Sequence, residues 1–349
     1  MNIKRIGVDL AKQVFQVHGV DSHEQTALKK RLKREQMLPF FRDLPPCLIG
    51  MEACSGAHYW ARELQNLGHT VKLIAPQFVK PYVKANKNDA NDAEAICEAV
   101  SRPSMRFVAI KTLAQQDLQA THRVRSQLVK QRTEKINQIR GLLAEYGIVF
   151  GQRIEVLRKA LPSLLEEGEN GLNHAFRVLL SGLQQDLSGL DDRVKELDKC
   201  IQRQADADPQ AKRLQQIPGI GPITATALVS GVGDGKQFKR GRDMAAWLGL
   251  TPRQHSSGGK ERLLGISKRG DSYLRSLLIH GARAVLKVAG QKDDPRSRWL
   301  QSLSERRNKN IAVVALANKN ARIAWALLTK EVEYQPMTQE RSAGEPVLP

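Results

Sequence analysis

Cysteine is scarce in this sequence of 349 residues and never falls at the close paired spacing of a metal or redox motif. The four cysteines, Cys47, Cys54, Cys97 and Cys200, are scattered along the chain. Without CxxC pairs, the sequence argues against both a disulfide framework and a cysteine-based zinc site. We therefore expect the protein to work in a reducing cytosol.

Long apolar segments are also missing. No hydrophobic run approaches the roughly 20 residues that a membrane span requires, and no uninterrupted apolar region follows the charges of the first five residues, as it does in a signal peptide. The hydrophobic fraction of 41% and the mean hydropathy of −0.41 are typical of a soluble globular protein. The sequence predicts a cytoplasmic protein without a membrane partner.

Acidic residues are the minority charge. Against 36 Asp and Glu stand 55 Lys and Arg, which gives a formal net charge of +19. The excess of positive charge is +3 in residues 1–100, +3 in residues 101–210 and +13 in residues 211–349. Such an excess favours a polyanionic partner, and the last third is the expected main docking surface for nucleic acid. The alternative is a basic domain without such a partner.

The chain is long enough for roughly two or three domains. The first hundred residues alternate short apolar runs with helical stretches, the pattern of an α/β domain that opens with a β-meander. Three strands, a helix, a strand, a helix and a strand are predicted, followed by a short helix between Pro76 and Pro81, a helix over Asp89 to Val100 and a strand near Arg106 to Ile110.

The middle of the chain predicts two long helices. The first covers about 112–147, so that the N-terminal domain extends over 1–150. In the second segment, 151–210, apolar residues step by four and three, as in a coiled-coil seam. The seam residues are Phe176, Leu179, Leu180, Leu183, Leu187, Leu190, Val194, Leu197 and Ile201. Gly147 to Asn173, which contains Pro162, is expected to break the two helices into an antiparallel hairpin. The seam fits packing within the chain and packing against another subunit equally well.

A glycine-rich element opens the mainly helical C-terminal domain, predicted over 211–333. The stretch Ile217-Pro218-Gly219-Ile220-Gly221 precedes a helix of small residues and is similar to a helix-hairpin-helix element, which sets backbone N–H groups of Gly219 and Gly221 against a phosphate. A glycine-rich helical turn without a ligand has the same letters. Residues 334–349 lack periodicity and predict a disordered tail.

Four carboxylates in the first third form the strongest candidate site. Asp9 lies in an apolar strand, where a negative charge is costly unless something compensates it. Glu52 closes a second strand, and Asp89 and Asp92 share one helical face. If the sheet brings the two strands together, the carboxylates repel one another unless cations bind between them. Oxygen ligands suit Mg²⁺ or Mn²⁺, which places nuclease or phosphoryl-transfer chemistry here.

Two other interpretations of these acidic residues stand beside the metal site. In the first interpretation, the segment is an ordinary α/β domain in which Asp9 only caps a turn and Asp89 and Asp92 are solvated residues at the start of a helix. A glycine-x-aspartate strand also opens the actin-like kinases and ATPases, but those need further glycine-rich phosphate loops, which the first two thirds of this sequence lack.

A polar loop in the last third holds the second candidate site. Its paired glycines, Gly258 and Gly259, allow close backbone approach to a ligand. A serine among basic side chains could attack phosphorus with its developing charge stabilised, with His255 as a possible base. Taken by itself, a Ser-Ser-Gly-Gly loop is usually only flexible. The basic residues that could hold phosphate oxygens are Arg253, Lys260, Arg262, Lys268 and Arg269.

Together these motifs resemble the DEDD transposases of insertion-sequence family 110, and more narrowly its subgroup 1111. The resemblance spans nearly the whole chain. Five stretches carry it, in the family's order: Gly7 to Lys12, Met51 to Gly56, Lys87 to Ala93, Ile217 to Gly221, and Leu248 to Asp271. The Piv-type DNA invertases share both the N-terminal and the C-terminal motifs.

The resemblance implies a RuvC-like N-terminal domain of RNase H-like fold, with Asp9, Glu52, Asp89 and Asp92 as the acidic tetrad that holds Mg²⁺. It implies a coiled-coil segment used in assembly and a C-terminal transposase domain whose serine forms a covalent link to DNA. Ser257 matches that serine because it precedes the glycines, with the neighbouring Ser256 as the alternative.

The resemblance also implies partners. A structured bridge RNA would pair with target DNA and with donor DNA, so that the protein itself grips backbones. We expect a homo-oligomer, a dimer assembling to a tetramer, because strand exchange needs several active centres. The expected location is the prokaryotic cytoplasm, in association with the nucleoid.

Two further functions remain open on the sequence. The chain could be a RuvC-like, metal-dependent, structure-selective nuclease that needs neither serine chemistry nor RNA. It could also be a non-enzymatic architectural binder that uses only the basic last third. The sequence leaves open whether acidic and serine sites combine within one chain or between chains.

Overall fold

The computed structural model describes residues 3–84 and 88–336 and divides into two compact units. The first unit holds the described residues up to Thr112 together with Val232–Lys239, and the second holds Leu113–Gly231 and the described residues from Arg240 onward. Lys87 of the acidic motif and residues 337–349 of the predicted tail lie outside the described residues, as do residues 1 and 2.

The first unit is built around a six-stranded mixed sheet, and the predicted α/β domain with an opening β-meander is confirmed. Its strands and helices are β1 (Arg5–Leu10), β2 (Val14–Val20), β3 (Thr26–Lys33), α1 (Met37–Arg42), β4 (Leu48–Glu52), α2 (Ala57–Asn66), β5 (Thr70–Ile74), α3 (Pro76–Val79), α4 (Asp89–Val100) and β6 (Phe107–Val108). The strand order is β3-β2-β1-β4-β5-β6.

Strand directions in this sheet follow from the connections. The meander β1-β2-β3 is antiparallel, whereas β4 returns through α1 to lie parallel to β1, and β5 returns through α2 to lie parallel to β4. Parallel neighbours need such crossovers, while antiparallel ones need only a turn. This mixed α/β arrangement is consistent with the RuvC-like fold that the resemblance implies.

Two glycines let helix α4 lie directly on the central strands. A Cβ at Gly7 of β1 would stand 2.2 Å from the carbonyl oxygen of Ala93, and a Cβ at Gly50 of β4 would stand 2.8 Å from Val100 Cβ. Both distances are shorter than van der Waals contact, so a side chain at either position would push the helix off the sheet. The opposite side chains of β1, Ile6 and Val8, are fully buried in the main core.

The second unit begins with a long helical hairpin. Its first elements are α5 (Leu113–Ala144), α6 (Ile154–Glu166) and α7 (His174–Ala207). Ion pairs join Arg125 to Asp198 and Lys135 to Asp186, so residue numbers rise along one helix as they fall along the other. The predicted antiparallel hairpin is confirmed.

The apolar seam of α7 packs within the chain. Leu180, Leu183 and Leu187 share a core cluster with Ile136 and Ile139 of α5, while Leu179 of the same predicted seam is 52% exposed. The packing within the chain accounts for the heptad-like spacing. A role of this segment in joining subunits remains a prediction.

Helix α6 corrects the predicted break between the two long helices. Pro162 lies inside it, although an interior proline typically costs a helix about 3 kcal/mol. Leu157, Leu161 and Leu164 of α6 are buried in the same cluster as the α5–α7 seam. Burying three leucines outweighs the lost hydrogen bond, because each contributes roughly 1.5–3 kcal/mol.

The C-terminal part of the second unit is mainly helical, as predicted. Its elements are α8 (Pro209–Gln215), α9 (Pro222–Val232), α10 (Gly241–Trp247), β7 (Pro252–Gln254), β8 (Leu263–Ile266), α11 (Ser272–Ala289), α12 (Pro295–Arg306) and α13 (Lys309–Lys330). The last residue of α9, Val232, belongs to the first unit.

Helix α13 is the one described helix that is long and apolar enough to cross a membrane by length and hydropathy. Half of the most apolar stretch of this helix is buried inside the protein. The helix packs against α10, α11 and α12. Its apolar residues therefore belong to the core of a helical domain.

The close approach of α4 to the sheet makes a first prediction. Gly7→Ala lowers the free energy of unfolding by about 2 kcal/mol or more, because its Cβ collides with helix backbone that cannot move away cheaply. The measurement is urea denaturation followed by circular dichroism.

Gly141→Ala is the matched control for this substitution. Gly141 lies in α5, and no atom stands within 4 Å of the position that its Cβ would take, so alanine there raises helix stability by about 0.5–1 kcal/mol. Equal effects of the two substitutions would contradict the packing of α4 on Gly7.

Candidate active-site residues

The central strands β1 and β4 present two of the predicted carboxylates near their carboxyl ends. Val8 pairs with Met51 in the parallel ladder, so the next residues along the two strands, Asp9 and Glu52, lie side by side near the carboxyl ends of these strands. Each carboxylate follows two residues after a glycine that packs on α4, and side chains two apart in a strand share a face. Asp9 and Glu52 therefore both lie on the α4 side.

Helix α4 supplies the other two carboxylates in its first turn. Asn88 caps this helix, with its Oδ1 accepting hydrogen bonds from the backbone N of Ala90 at 2.8 Å and of Asn91 at 3.1 Å. The cap fixes where the helix begins. Since α4 lies over β1, its first turn brings Asp89 and Asp92 to Asp9.

Three of the four predicted ligands form a compact group. One carboxylate oxygen each from Asp9, Asp89 and Asp92 lie within 4.8 Å of one another. Glu52 is not a member of this group of three, although its charge acts on Asp9. The structure thus brings together carboxylates that are up to 83 positions apart in sequence.

Electrostatics at Asp9 reflect this crowding. The pKa of Asp9 is raised from 3.8 to about 6, first by burial and then by the negative charges of Asp92, Asp89 and Glu52, in that order. A half-buried carboxyl among like charges is costly to ionise. A divalent cation among these oxygens would remove that cost, and an all-carboxylate donor set fits a hard ion such as Mg²⁺ or Mn²⁺.

Cys54 is a neighbour of this site that sequence reasoning did not single out. Its thiol donates to the carbonyl oxygen of Leu10 at 3.8 Å. Burial, followed by the charges of Glu52 and Asp9, raises the pKa of the Cys54 thiol, which keeps it protonated at neutral pH. A neutral thiol is a weak ligand for a hard cation, so Cys54 fills space beside the carboxylates.

The predicted serine loop is a β-hairpin. Gly258 and Gly259 have φ values of +56° and +77°, as both central residues of a type I′ turn require. Ser257 and Lys260 flank them and form an isolated antiparallel bridge, with Lys260 N donating to Ser257 O at 3.1 Å. Paired glycines between short segments are a hairpin signal in the sequence, and the polar composition of the flanking strands concealed it.

The base of the hairpin is held against the preceding helix turn. Gly249 has a φ of +72°, and a Cβ there would stand 2.3 Å from the carbonyl oxygen of Arg269. A Cβ at Gly270 would stand 1.8 Å from the carbonyl oxygen of Trp247. The Arg275 guanidinium donates to the carbonyl oxygen of Arg269 at 3.1 Å. The hairpin is therefore fixed at its base and exposed at its tip.

Exposed basic side chains surround the two serines. The hydroxyl of Ser256 accepts a hydrogen bond from Gln254 Nε2 at 2.9 Å, whereas Ser257 occupies the first position of the turn. All five basic residues predicted to hold phosphate are exposed: Arg253, Lys260, Arg262, Lys268 and Arg269. Their contacts with nucleic acid remain predictions.

The two glycines of the helix-hairpin-helix-like element differ in their surroundings. Gly219 has a φ of +91° and packs against Gly281 of α11, where a Cβ at Gly281 would stand 1.8 Å from the Gly219 carbonyl oxygen. Close helix packing therefore accounts for Gly219 without a ligand. Gly221 has no atom within 4 Å of the position its Cβ would take, and it remains the better candidate for a backbone contact with phosphate.

Two family models match this chain. Residues 6–148 match a DEDD transposase model of the IS110 type, described as a transposase. Residues 211–298 match the model of the transposase IS116/IS110/IS902 family. The two matches contain the acidic group and the serine hairpin respectively.

Curated relatives extend the likeness to nearly the whole chain. A probable family 20 transposase of Pseudomonas aeruginosa is 57% identical over 96% of this chain and 100% of its own length. The transposase for insertion sequence element IS1111A of Coxiella burnetii is 48% identical over 96% of this chain and 92% of its own. A pilin gene-inverting protein of Moraxella bovis is 27% identical over 43% of this chain and 47% of its own.

The raised pKa of Asp9 predicts a pH-dependent stability in the metal-free protein. Between pH 3.8 and about 6 the folded chain holds a proton on Asp9 that the unfolded chain has lost, so this group's stabilising contribution disappears as the pH rises through 6. In chelator at pH 7.5, Asp9→Asn therefore raises the free energy of unfolding by about 1–2 kcal/mol, a figure reduced for solvent screening of a half-buried group.

The comparison uses urea denaturation at pH 7.5 and pH 3.5, with Glu35→Gln as the exposed control. At pH 3.5 most of the Asp9→Asn gain is expected to vanish, because the carboxyl is protonated in the folded chain and mostly protonated in the unfolded chain. A gain of the same size at both pH values, or none at either, would show that the carboxylates do not crowd one another.

Proposed function

The chain belongs to the IS116/IS110/IS902 family and is a DNA transposase, and from this premise we propose that it recombines a mobile insertion sequence. In this proposal a metal-binding acidic site and a serine nucleophile carry out the reaction, and a bridge RNA guides it. The observation that carries the proposal is the group of Asp9, Asp89 and Asp92 oxygens within 4.8 Å. The pilin gene-inverting relative favours site-specific recombination, since its name describes an inversion of DNA.

Asp9, Asp89 and Asp92 hold the metal in this proposal, with Glu52 as the fourth ligand from the adjacent strand. When bound, Mg²⁺ or Mn²⁺ supplies charge neutralisation at a phosphodiester and activation of an attacking oxygen. The protein contributes by keeping the carboxylates at fixed positions. Gly7 and Gly50 do so by seating α4 on the sheet, and Asn88 does so by fixing the first turn of α4.

Ser257 is the proposed nucleophile. Its Oγ forms a bond to phosphorus while the bond between phosphorus and one deoxyribose oxygen breaks. The hydroxyl proton passes to a base, for which His255 is the candidate, and the departing deoxyribose oxygen takes up a proton. Attack by a deoxyribose hydroxyl of another strand then reverses the step and restores a diester, which makes strand transfer possible without net hydrolysis.

The hairpin supports this assignment through its shape and charge. A type I′ turn with two glycines exposes the backbone around Ser257 on both sides, so that a bulky DNA backbone can approach. The exposed cations around the turn, such as Arg253, Lys260 and Arg262, suit phosphate oxygens and the charge that develops on phosphorus.

Guidance by a bridge RNA is the finer part of the proposal. The 48% identity to the IS1111A transposase supports membership of subgroup 1111. The net charge of +19 suits a protein that holds two kinds of nucleic acid. Base pairing would then select target and donor DNA, and the protein would work as a homo-oligomer, dimeric and then tetrameric, on the nucleoid in the cytoplasm.

Serine chemistry predicts a covalent protein–DNA intermediate. With a nicked or bulged substrate that traps the intermediate, wild-type protein is expected to migrate with labelled DNA after denaturation. Ser257→Ala is expected to abolish this species, because no oxygen remains to bond phosphorus, whereas the matched Ser256→Ala retains it. Denaturing gel electrophoresis is the measurement.

The reverse pattern of these two variants would assign the nucleophile to Ser256. A covalent species that persists in the double variant would remove the serine mechanism. DNA cleavage without any covalent species, in the wild type as in the variants, would favour the metal-dependent nuclease, in which activated water cleaves DNA.

RNA guidance predicts that a discrete RNA accompanies the purified full-length chain. Sequencing of the nucleic acid recovered with the protein is expected to return one structured RNA whose loops match element ends and a target. Recombination by protein freed of RNA, at undiminished rate, would exclude guidance by RNA.

A further inference from the structure

Four basic side chains from three helices lie together in the second unit. Lys319 and Arg322 share one face of α13, Arg242 lies in α10 and Arg296 lies in α12. Helix α13 packs against both α10 and α12. At the contact between α10 and α13, a Cβ on Gly241 would stand 3.1 Å from Arg322 Cα. Arg242 is the next residue of α10 and therefore lies close to this contact. We name these four residues the α13 basic cluster.

Two aromatic rings fix the direction of the cluster's cations. The Nζ of Lys319 lies 4.9 Å from the ring centroid of Trp299. The guanidinium of Arg296 lies 5.9 Å from the ring centroid of Tyr334 and donates to its hydroxyl. Such contacts attract a cation to the face of an aromatic ring and hold it there. Side chains held in this way lose less conformational entropy when they bind an anion.

The charges of the cluster repel one another. Burial, followed by the positive charges of Arg296 and Arg322, lowers the pKa of Lys319. Burial, followed by the charge of Arg242, lowers the pKa of Arg322. Lowered pKa values mean that the fold holds these cations at an electrostatic cost.

Two carboxylates beside the cluster make contacts of their own. Asp294 caps α12, where its oxygens accept hydrogen bonds from Arg296 N at 3.1 Å and from Ser297 Oγ at 2.6 Å. Asp243 lies 3.6 Å from Arg240. Within the described part of the chain, no ion pair of 4.0 Å or less joins Arg242, Arg296 or Arg322 to a carboxylate. These three arginines therefore keep an excess of positive charge.

We propose that the α13 basic cluster is a binding site for the phosphodiester backbone of duplex DNA. Crowded, pre-oriented cations gain most from a ligand that brings several negative charges at once, and duplex DNA carries one charge per roughly 1.7 Å of its axis. DNA is the substrate of a transposase, which favours it over RNA as the occupant. The cluster shares no residue with the basic side chains of the Ser257 hairpin, and its binding of DNA requires neither the metal site nor the serine.

Equilibrium binding tests the proposal on the full-length chain in chelator, so that cleavage does not contribute. The probe is a fluorescent 40-base-pair duplex, measured by anisotropy over a series of KCl concentrations. Lys319→Met and Arg322→Met are each expected to weaken binding about 3–10-fold. Each is also expected to reduce the slope of log affinity against log salt by about 1, as the loss of one phosphate contact does.

The controls separate binding from folding. Lys330→Met removes an exposed cation from the last turn of the same helix and is expected to leave affinity within about 2-fold. Lys319→Arg preserves the charge and is expected to retain binding. Because Lys319 and Arg322 are repelled by their neighbours, their Met variants are expected to unfold at the same temperature as wild type or higher.

Three results would overturn the proposal. The first is unchanged duplex affinity and salt slope in Lys319→Met and Arg322→Met. The second is a loss of affinity that accompanies a lowered unfolding temperature and is not restored by Lys319→Arg, which would make the cluster structural. The third is a loss confined to a 40-nucleotide RNA probe with duplex binding intact. A failure of the serine or metal proposals would leave the outcome of this experiment unchanged.

Discussion

The acidic site depends on the contact between helix α4 and two glycines of the central sheet. Gly7 and Gly50 lack the side chains that would hold the helix away, and each stands two residues before a carboxylate on the same face of its strand. The same contact that buries the inner face of α4 therefore delivers Asp89 and Asp92 to Asp9. Folding energy from the packed helix offsets the repulsion among the carboxylates, which by itself would drive the helix away.

Much of this site follows from sequence because strands and their ends are governed by local pattern. The alternation around Asp9, the apolar run before Glu52 and the spacing of Asp89 and Asp92 predicted which carboxylates could meet. Their convergence required the strand order, with β4 beside β1, and that order is set by long-range packing. The family resemblance supplied it, whereas periodicity alone left the strand neighbours open.

Other features depended on tertiary contacts that no local pattern reveals. Pro162 predicts a break, yet three buried leucines hold α6 together. The letters around Gly219 suggest a phosphate contact, and the structure explains this glycine by its packing on Gly281. The α13 basic cluster combines residues from three helices up to 80 positions apart, so no window of sequence displays it.

The central claim is that Asp9, Asp89 and Asp92 share a divalent cation, and Mn²⁺ binding followed by electron paramagnetic resonance tests it most directly. Full-length wild-type protein at pH 7.5 is expected to bind Mn²⁺ saturably, with Mg²⁺ competing, and Asp9→Asn and Asp92→Asn are each expected to lose most of that binding. Wild-type affinity in both variants, or no saturable binding in the wild type, would contradict the account.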